Sequence, residues 1–99
     1  MEVDFVAELW RWKGDSPWHF LTVPTEESEE VSALAGRRGR GFGSVPVQVR
    51  IGETAWQTSL FPSDGQYLLP VKKAVRLAED LDVGEPAHVH LTVDLDRAR

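Results

Sequence analysis

Residues 45–61, VPVQVRIGETAWQTSLF, decide the fold. Val45, Val47, Val49 and Ile51 alternate with Pro46, Gln48 and Arg50, so every second side chain is apolar and the segment reads as a strand with one face toward a core. Gly52-Glu53 breaks the alternation with glycine first, the signature of a two-residue type II′ turn, and TAWQTSLF returns as the partner strand over 54–61. A lone hairpin is marginal in water, so other strands must complete the apolar face.

Those strands can be read on either side of the hairpin. In AHVHLTVDL (87–95), Ala87, Val89, Leu91, Val93 and Leu95 take the inward face, leaving His88, His90, Thr92 and Asp94 outside. VDFVAELWRW (3–12) places Phe5, Ala7 and Leu9 on one face, with Asp4, Val6, Glu8, Trp10 and Trp12 on the other. WHFLTV (18–23) and QYLLPV (66–71) add two more strands. Pro62-Ser63-Asp64-Gly65 reads as a turn, and Pro70, which has no N–H, belongs at an edge or a strand end. Two helices fit between the strands. The first starts with Thr25 as N-cap, continues through Glu26, Glu27, Glu29 and Glu30, buries Val31, Leu34 and Ala35, and ends at Gly36. The second covers 72–81, with Val71, Ala74, Val75, Ala78 and Leu81 as its apolar stripe. About six closely spaced strands with one or two short helices predict a mainly β protein, a small closed β-barrel forming a single domain over 1–99.

Composition narrows the function. The 99 residues contain no cysteine, which removes disulfides, thiolate nucleophiles and sulfur metal sites. The acidic start Met1-Glu2-Val3-Asp4 is not that of a signal peptide, and no apolar run reaches the roughly 18 residues of a membrane span, so a soluble cytoplasmic protein is expected. A net charge of −5 repels phosphate backbones, and no nucleic-acid partner is expected. Arg37, Arg38 and Arg40 beside Phe42, in the loop 36–44, leave an RNA contact as the weaker alternative.

The strings FVAELWRW, WHFLTVP, GFGSVPVQVRIGETAWQTSLFP and YLLPVKKAVRLAEDLDVGE, in this order, resemble the bacterial domain-of-unknown-function family nineteen-oh-five, over about Phe5 to Asp94. The resemblance implies a double-split β-barrel and supplies no activity. Some members carry a C-terminal YdeI/OmpD-associated segment, and this sequence ends at Arg99 without one. Where the family usually has Gly-Asp before the last strand, Gly84-Glu85-Pro86 keeps the negative charge and removes a backbone donor.

Several constellations invite chemistry. His88 and His90 have metal-ligand spacing, with His19 as a conceivable third, but their outward phase reads as surface and no metal is expected. The glycine-rich loop lacks the lysine and hydroxyl of a P-loop and runs from helix to strand. Ser59 lies inside a strand with no nucleophile elbow, so a triad with His19 or His88 is not supported and no enzyme activity is expected. Trp10 and Trp12 share one face of the first strand: either a helix covers them, the commoner solution, or they form an aromatic patch for a protein partner or a second copy. The second helix begins with Lys72 and Lys73 and ends with Glu79 and Asp80, against its dipole, and Arg76 lies one turn from Lys72. A salt bridge to Glu53 or Asp94 would account for this. The sharper expectation is a small anionic ligand held by Lys72, Arg76 and Tyr67 against an aromatic wall including Trp18 or Trp56, with no cofactor.

Overall fold

The computed structural model describes residues 2–35 and 43–94. In chain order these form β1 (Glu2–Glu8), β2 (Trp10–Arg11), β3 (His19–Val23), α1 (Thr25–Ala35), β4 (Val45–Ile51), β5 (Thr54–Ser63), β6 (Gln66–Pro70), α2 (Lys73–Ala78) and β7 (Pro86–Val93). The arginines of the 36–44 loop lie outside the described residues.

The β4–β5 hairpin forms as expected. Val45 pairs with Leu60 and Ile51 with Thr54, and the turn glycine Gly52 has φ +57. Its three partners in the sheet follow from the same alternation: β7 pairs with β4 on one side and β1 on the other, while β6 pairs with β5. All seven strands make one antiparallel sheet in the order β1-β7-β4-β5-β6-β3-β2.

This sheet is strongly curled and open, not the closed barrel expected. The reason lies at Leu9. The stretch expected as one strand bends there, so that β1 pairs with β7 while β2 pairs with β3, and the two halves of one segment become the two edges of the sheet. The bend is held from the side: Leu9 N–H donates to Glu85 O at 3.0 Å, and Gly84 N–H donates to Leu9 O at 2.8 Å. Splitting this strand also gives seven strands where about six were expected.

The core fills the inside of the curl. Val3, Phe5, Leu9, Val47, Val49, Leu60, Val89 and Leu91 are buried there, and α1 closes it with Val31 and Ala35. Four boundaries differ from expectation. Thr25 is the first residue of α1 and not its cap, because Ser28 N–H already reaches Pro24 O at 2.8 Å. Strand β5 runs on through Pro62 and Ser63, and the turn contracts to Asp64-Gly65, both at positive φ (49 and 80), as a type I′ turn requires. Helix α2 is shorter than 72–81: Asp80 turns left-handed at φ 51, and Leu81 N–H bonds back to Arg76 O at 2.9 Å, which stops the helix with Leu81 buried against it. Of its expected stripe, Val71, Val75 and Leu81 are buried and Ala74 and Ala78 are exposed.

Among the described residues, the helical cover expected for the tryptophans is missing. Trp10 is half-buried, with its indole N–H on Thr22 Oγ1 at 2.9 Å, and Trp12 stays 47% exposed. They pack against Phe20 on the outer face of the β2–β3 edge, with ring centroids 5.2 and 5.8 Å from it. Strand alternation placed them outside the core, and among the described residues no helix lies over that face to bury Trp12.

Candidate functional site

A cavity opens where β5 and β6 part. Those strands ladder over Phe61–Ser63 and Gln66–Leu68, whereas residues 54–60 of β5 pair with β4 on their other side. Pro70 ends β6, Val71 N–H turns to His19 O at 2.9 Å, and the chain enters α2 instead of continuing along β5. The gap left behind has a volume of about 440 Å³. That is within the size range of small-molecule sites.

Its walls come from four elements. The approach to β3 supplies Pro17, Trp18 and His19; β5 supplies Trp56, Gln57, Thr58 and Phe61; the end of β6 supplies Pro70 and Val71; and the start of α2 supplies Lys72, Lys73 and Arg76. Trp18 stacks on Phe20 at 6.0 Å and is 56% exposed, while Trp56 is half-buried and packs against the core. His19 Nδ1 lies 2.7 Å from Pro17 O, which fixes the ring beside the opening.

The electrostatics are one-sided. The fixed charges in the lining are three cations, and no carboxylate is among its residues. Among the described residues, no acidic side chain pairs with Lys72, Lys73 or Arg76, so the salt bridge to Glu53 or Asp94 is not formed. Glu79, the C-cap of α2, accepts the Thr54 hydroxyl at 2.6 Å. Arg76 Nε is buried with no hydrogen-bond partner among the protein groups. An unmet buried donor of this kind costs about 1–3 kcal/mol. Lys72 occupies the N-cap of α2 with φ −72 and ψ 159 and no side-chain cap bond, where a Ser or Asp would satisfy a free N–H. Arg76, by contrast, falls in the last turn of the shortened helix, where the dipole favours it.

Of the five residues expected to hold a ligand, Trp18, Trp56, Lys72 and Arg76 thus meet around one cavity. Tyr67 does not. It is the second residue of β6, and at about 3.3 Å per residue the strand carries the chain well away before Lys72. Tyr67 lines a separate hollow of about 220 Å³ with Ser28, Pro62 and Gln66, among others. Phe61, missed from the sequence, is shared by the main cavity and by an adjoining apolar hollow of about 320 Å³ lined by Trp12, Ser16, Trp18, Phe20 and Phe61. It lies on β5 at a parity that faces away from the core.

The histidines behave differently from one another. His19 belongs to the cavity, while His88 and His90 point outward from β7 as their alternation required. Sequence reading missed their neighbour: Asp4, directly opposite His90 in the β1–β7 ladder, contacts His90 Nδ1 through Oδ1.

These features define a small single-sheet β domain with a ligand-sized cavity set into a split between strands. Within that class, the chain belongs to the family described as Domain of unknown function (DUF1905), which matches residues 5–91. No curated protein matches the chain. Among the described residues, no helix is long and apolar enough to cross a membrane.

Proposed function

We propose that the domain binds a small anionic ligand with a flat apolar body, in the cavity between β3, β5 and α2, without turning it over chemically. The observation that carries this reading is the lining itself: Lys72, Lys73 and Arg76 face no carboxylate, and two indoles stand beside them. The indole faces receive the apolar body, and the guanidinium takes the anionic group through charge-assisted hydrogen bonds. A small rotation of the Arg76 side chain offers its unmet Nε edge, together with a terminal nitrogen, to two oxygens of a carboxylate or phosphate. The cysteine-free composition fits a cytoplasmic setting.

Tryptophan fluorescence and calorimetry with aromatic carboxylates, aryl phosphates, inorganic phosphate and the matched neutral amides test this. At least one aromatic anion is expected to bind, with its neutral counterpart weaker by about tenfold or more, the discrimination of one charge-assisted contact. Arg76→Ala should remove that preference yet leave unfolding in the ligand-free protein within about 1 kcal/mol, because no protein partner is orphaned. Equal binding of neutral and anionic compounds, or none by either, overturns the proposal.

A second reading has its own observation. Trp12, Trp18 and Phe61, at 47%, 56% and 45% exposure, make a continuous aromatic surface next to the edge strand β2. As a self-association face it predicts a sedimentation coefficient that rises with concentration, and Trp12→Ser should return the protein to monomer without a large loss of stability. A wild type that stays monomeric through the range sinks this second reading and leaves the first intact.

A further inference from the structure

The outer face of β1 and β7 places three metal-type donors together. Asp4, His88 and His90 each present a ligand atom, and these atoms lie within 4.8 Å of one another. The arrangement is set by the ladder, not by loop chance. Asp4 is the direct cross-strand partner of His90, His88 follows two residues earlier on β7, and seven consecutive pairs from Glu2–Thr92 to Glu8–Pro86 fix the register. Behind the donors the same strands are anchored by Val3, Phe5, Val89 and Leu91, all buried. The imidazoles already stack, with centroids 4.8 Å apart, and Asp4 touches His90 Nδ1.

From this geometry we infer a site for one divalent transition-metal ion of the zinc type, held by His88, His90 and the Asp4 carboxylate. Zinc–nitrogen and zinc–oxygen bonds of about 2.0–2.2 Å separate tetrahedral ligands by roughly 3.3–3.5 Å. The donors lie within 4.8 Å of one another, with Asp4 and His90 in direct contact, and side-chain rotation at an exposed surface brings them to these separations. Two imidazoles with one carboxylate select zinc and its later first-row neighbours over magnesium or calcium, which prefer all-oxygen shells. The two side chains flanking the site carry opposite charge: Arg50 pairs with His90 from β4 and opposes a cation, whereas Glu2 lies two residues from Asp4 on the same face of β1. Three protein ligands leave the fourth position of the ion to water. The site shares no residue with the aromatic cavity, so neither reading depends on the other.

The test is a zinc chloride titration of the full chain, followed by calorimetry, histidine side-chain NMR and sedimentation. One ion per chain is expected, with the imidazole signals of His88 and His90 shifting and those of His19 unchanged. His88→Ala and His90→Ala should each weaken binding by roughly tenfold or more, and Asp4→Asn by a similar factor. His19→Ala serves as the control and should bind as wild type. Because His88 and Asp4 are exposed and His90 is 34% exposed at its side chain, these variants should fold normally, which a thermal melt without zinc verifies. Undiminished binding in His90→Ala, equal loss in His19→Ala, or zinc taken up only by bridging two chains in sedimentation overturns the inference.

Discussion

Leu9→Ala is expected to lower the unfolding free energy by about 3–4 kcal/mol, the cost of emptying a large aliphatic site in a core that relaxes only in part. For a domain of this size that means a melting temperature lower by roughly 15–25 °C. Leu9 is 1% exposed and lies at the bend where one segment leaves the β1 edge and becomes the β2 edge. Its side chain fills the core there, and its backbone holds the 84–85 turn through the Leu9–Glu85 and Gly84–Leu9 bonds. The substitution therefore does more than remove three carbons, because the bend depends on that anchor. Denaturant unfolding gives the magnitude, and amide exchange gives the place. The Leu9 and Gly84 N–H groups should lose protection ahead of those in the β4–β5 hairpin. Val6→Thr, at a site 59% exposed on the same strand, should change stability by no more than about 0.5 kcal/mol. A loss below about 1 kcal/mol for Leu9→Ala, or uniform loss of protection across the sheet, would contradict the role assigned to the bend.

What could be read in advance follows from how local each signal is. The β4–β5 hairpin was legible because its turn residues and both alternations occupy adjacent positions, and the phase of β7 was legible from four alternating apolar residues, Ala87, Val89, Leu91 and Val93. The bend at Leu9 was not, because apolar alternation through VDFVAELWRW continues across it; what breaks the strand is the 84–85 turn, which lies far along the chain. The open edge of the sheet was hidden for the same reason. At the cavity, Lys72 stood out as a cation at a helix start, against the dipole, and it does stand at the start of α2, in the N-cap position. Arg76 stood out through its like-charge spacing one turn from Lys72, and with the helix stopped at Ala78 by the left-handed Asp80 it falls in the last turn, where the dipole favours it. Its relevance rests instead on an unmet Nε, which only packing reveals. Tyr67 stands apart from the Lys72 cavity because the extended strand β6 separates the two residues.

Ser28 shows the same limit in a residue that sequence reading passed over among the acidic positions of the first helix. It is 2% exposed, a polar side chain inside the junction of α1 with β3 and β6. Its hydroxyl donates to Val23 O at 2.9 Å and accepts the Tyr67 N–H at 3.2 Å, so one oxygen ties the end of β3 to the start of β6 beneath the helix. Ser28→Ala removes both bonds with almost no change of volume. Val23 O keeps a second donor, Gln66 Nε2 at 3.3 Å, whereas the Tyr67 N–H loses the hydroxyl acceptor it has here. The expected cost is about 2 kcal/mol, mostly the penalty of burying an unmet donor and not the modest net worth of a hydrogen bond. Ser28→Thr separates the two contributions. It keeps the hydroxyl and adds one methyl, so a loss clearly smaller than that of Ser28→Ala assigns the effect to the bonds, and a larger one assigns it to steric fit. Amide exchange at Tyr67 should accelerate in the alanine variant and remain slow in the threonine variant. If Ser28→Ala leaves both the unfolding free energy and the Tyr67 amide unchanged, the hydroxyl is dispensable and the junction is held by apolar contacts of Val31 and Leu69 instead.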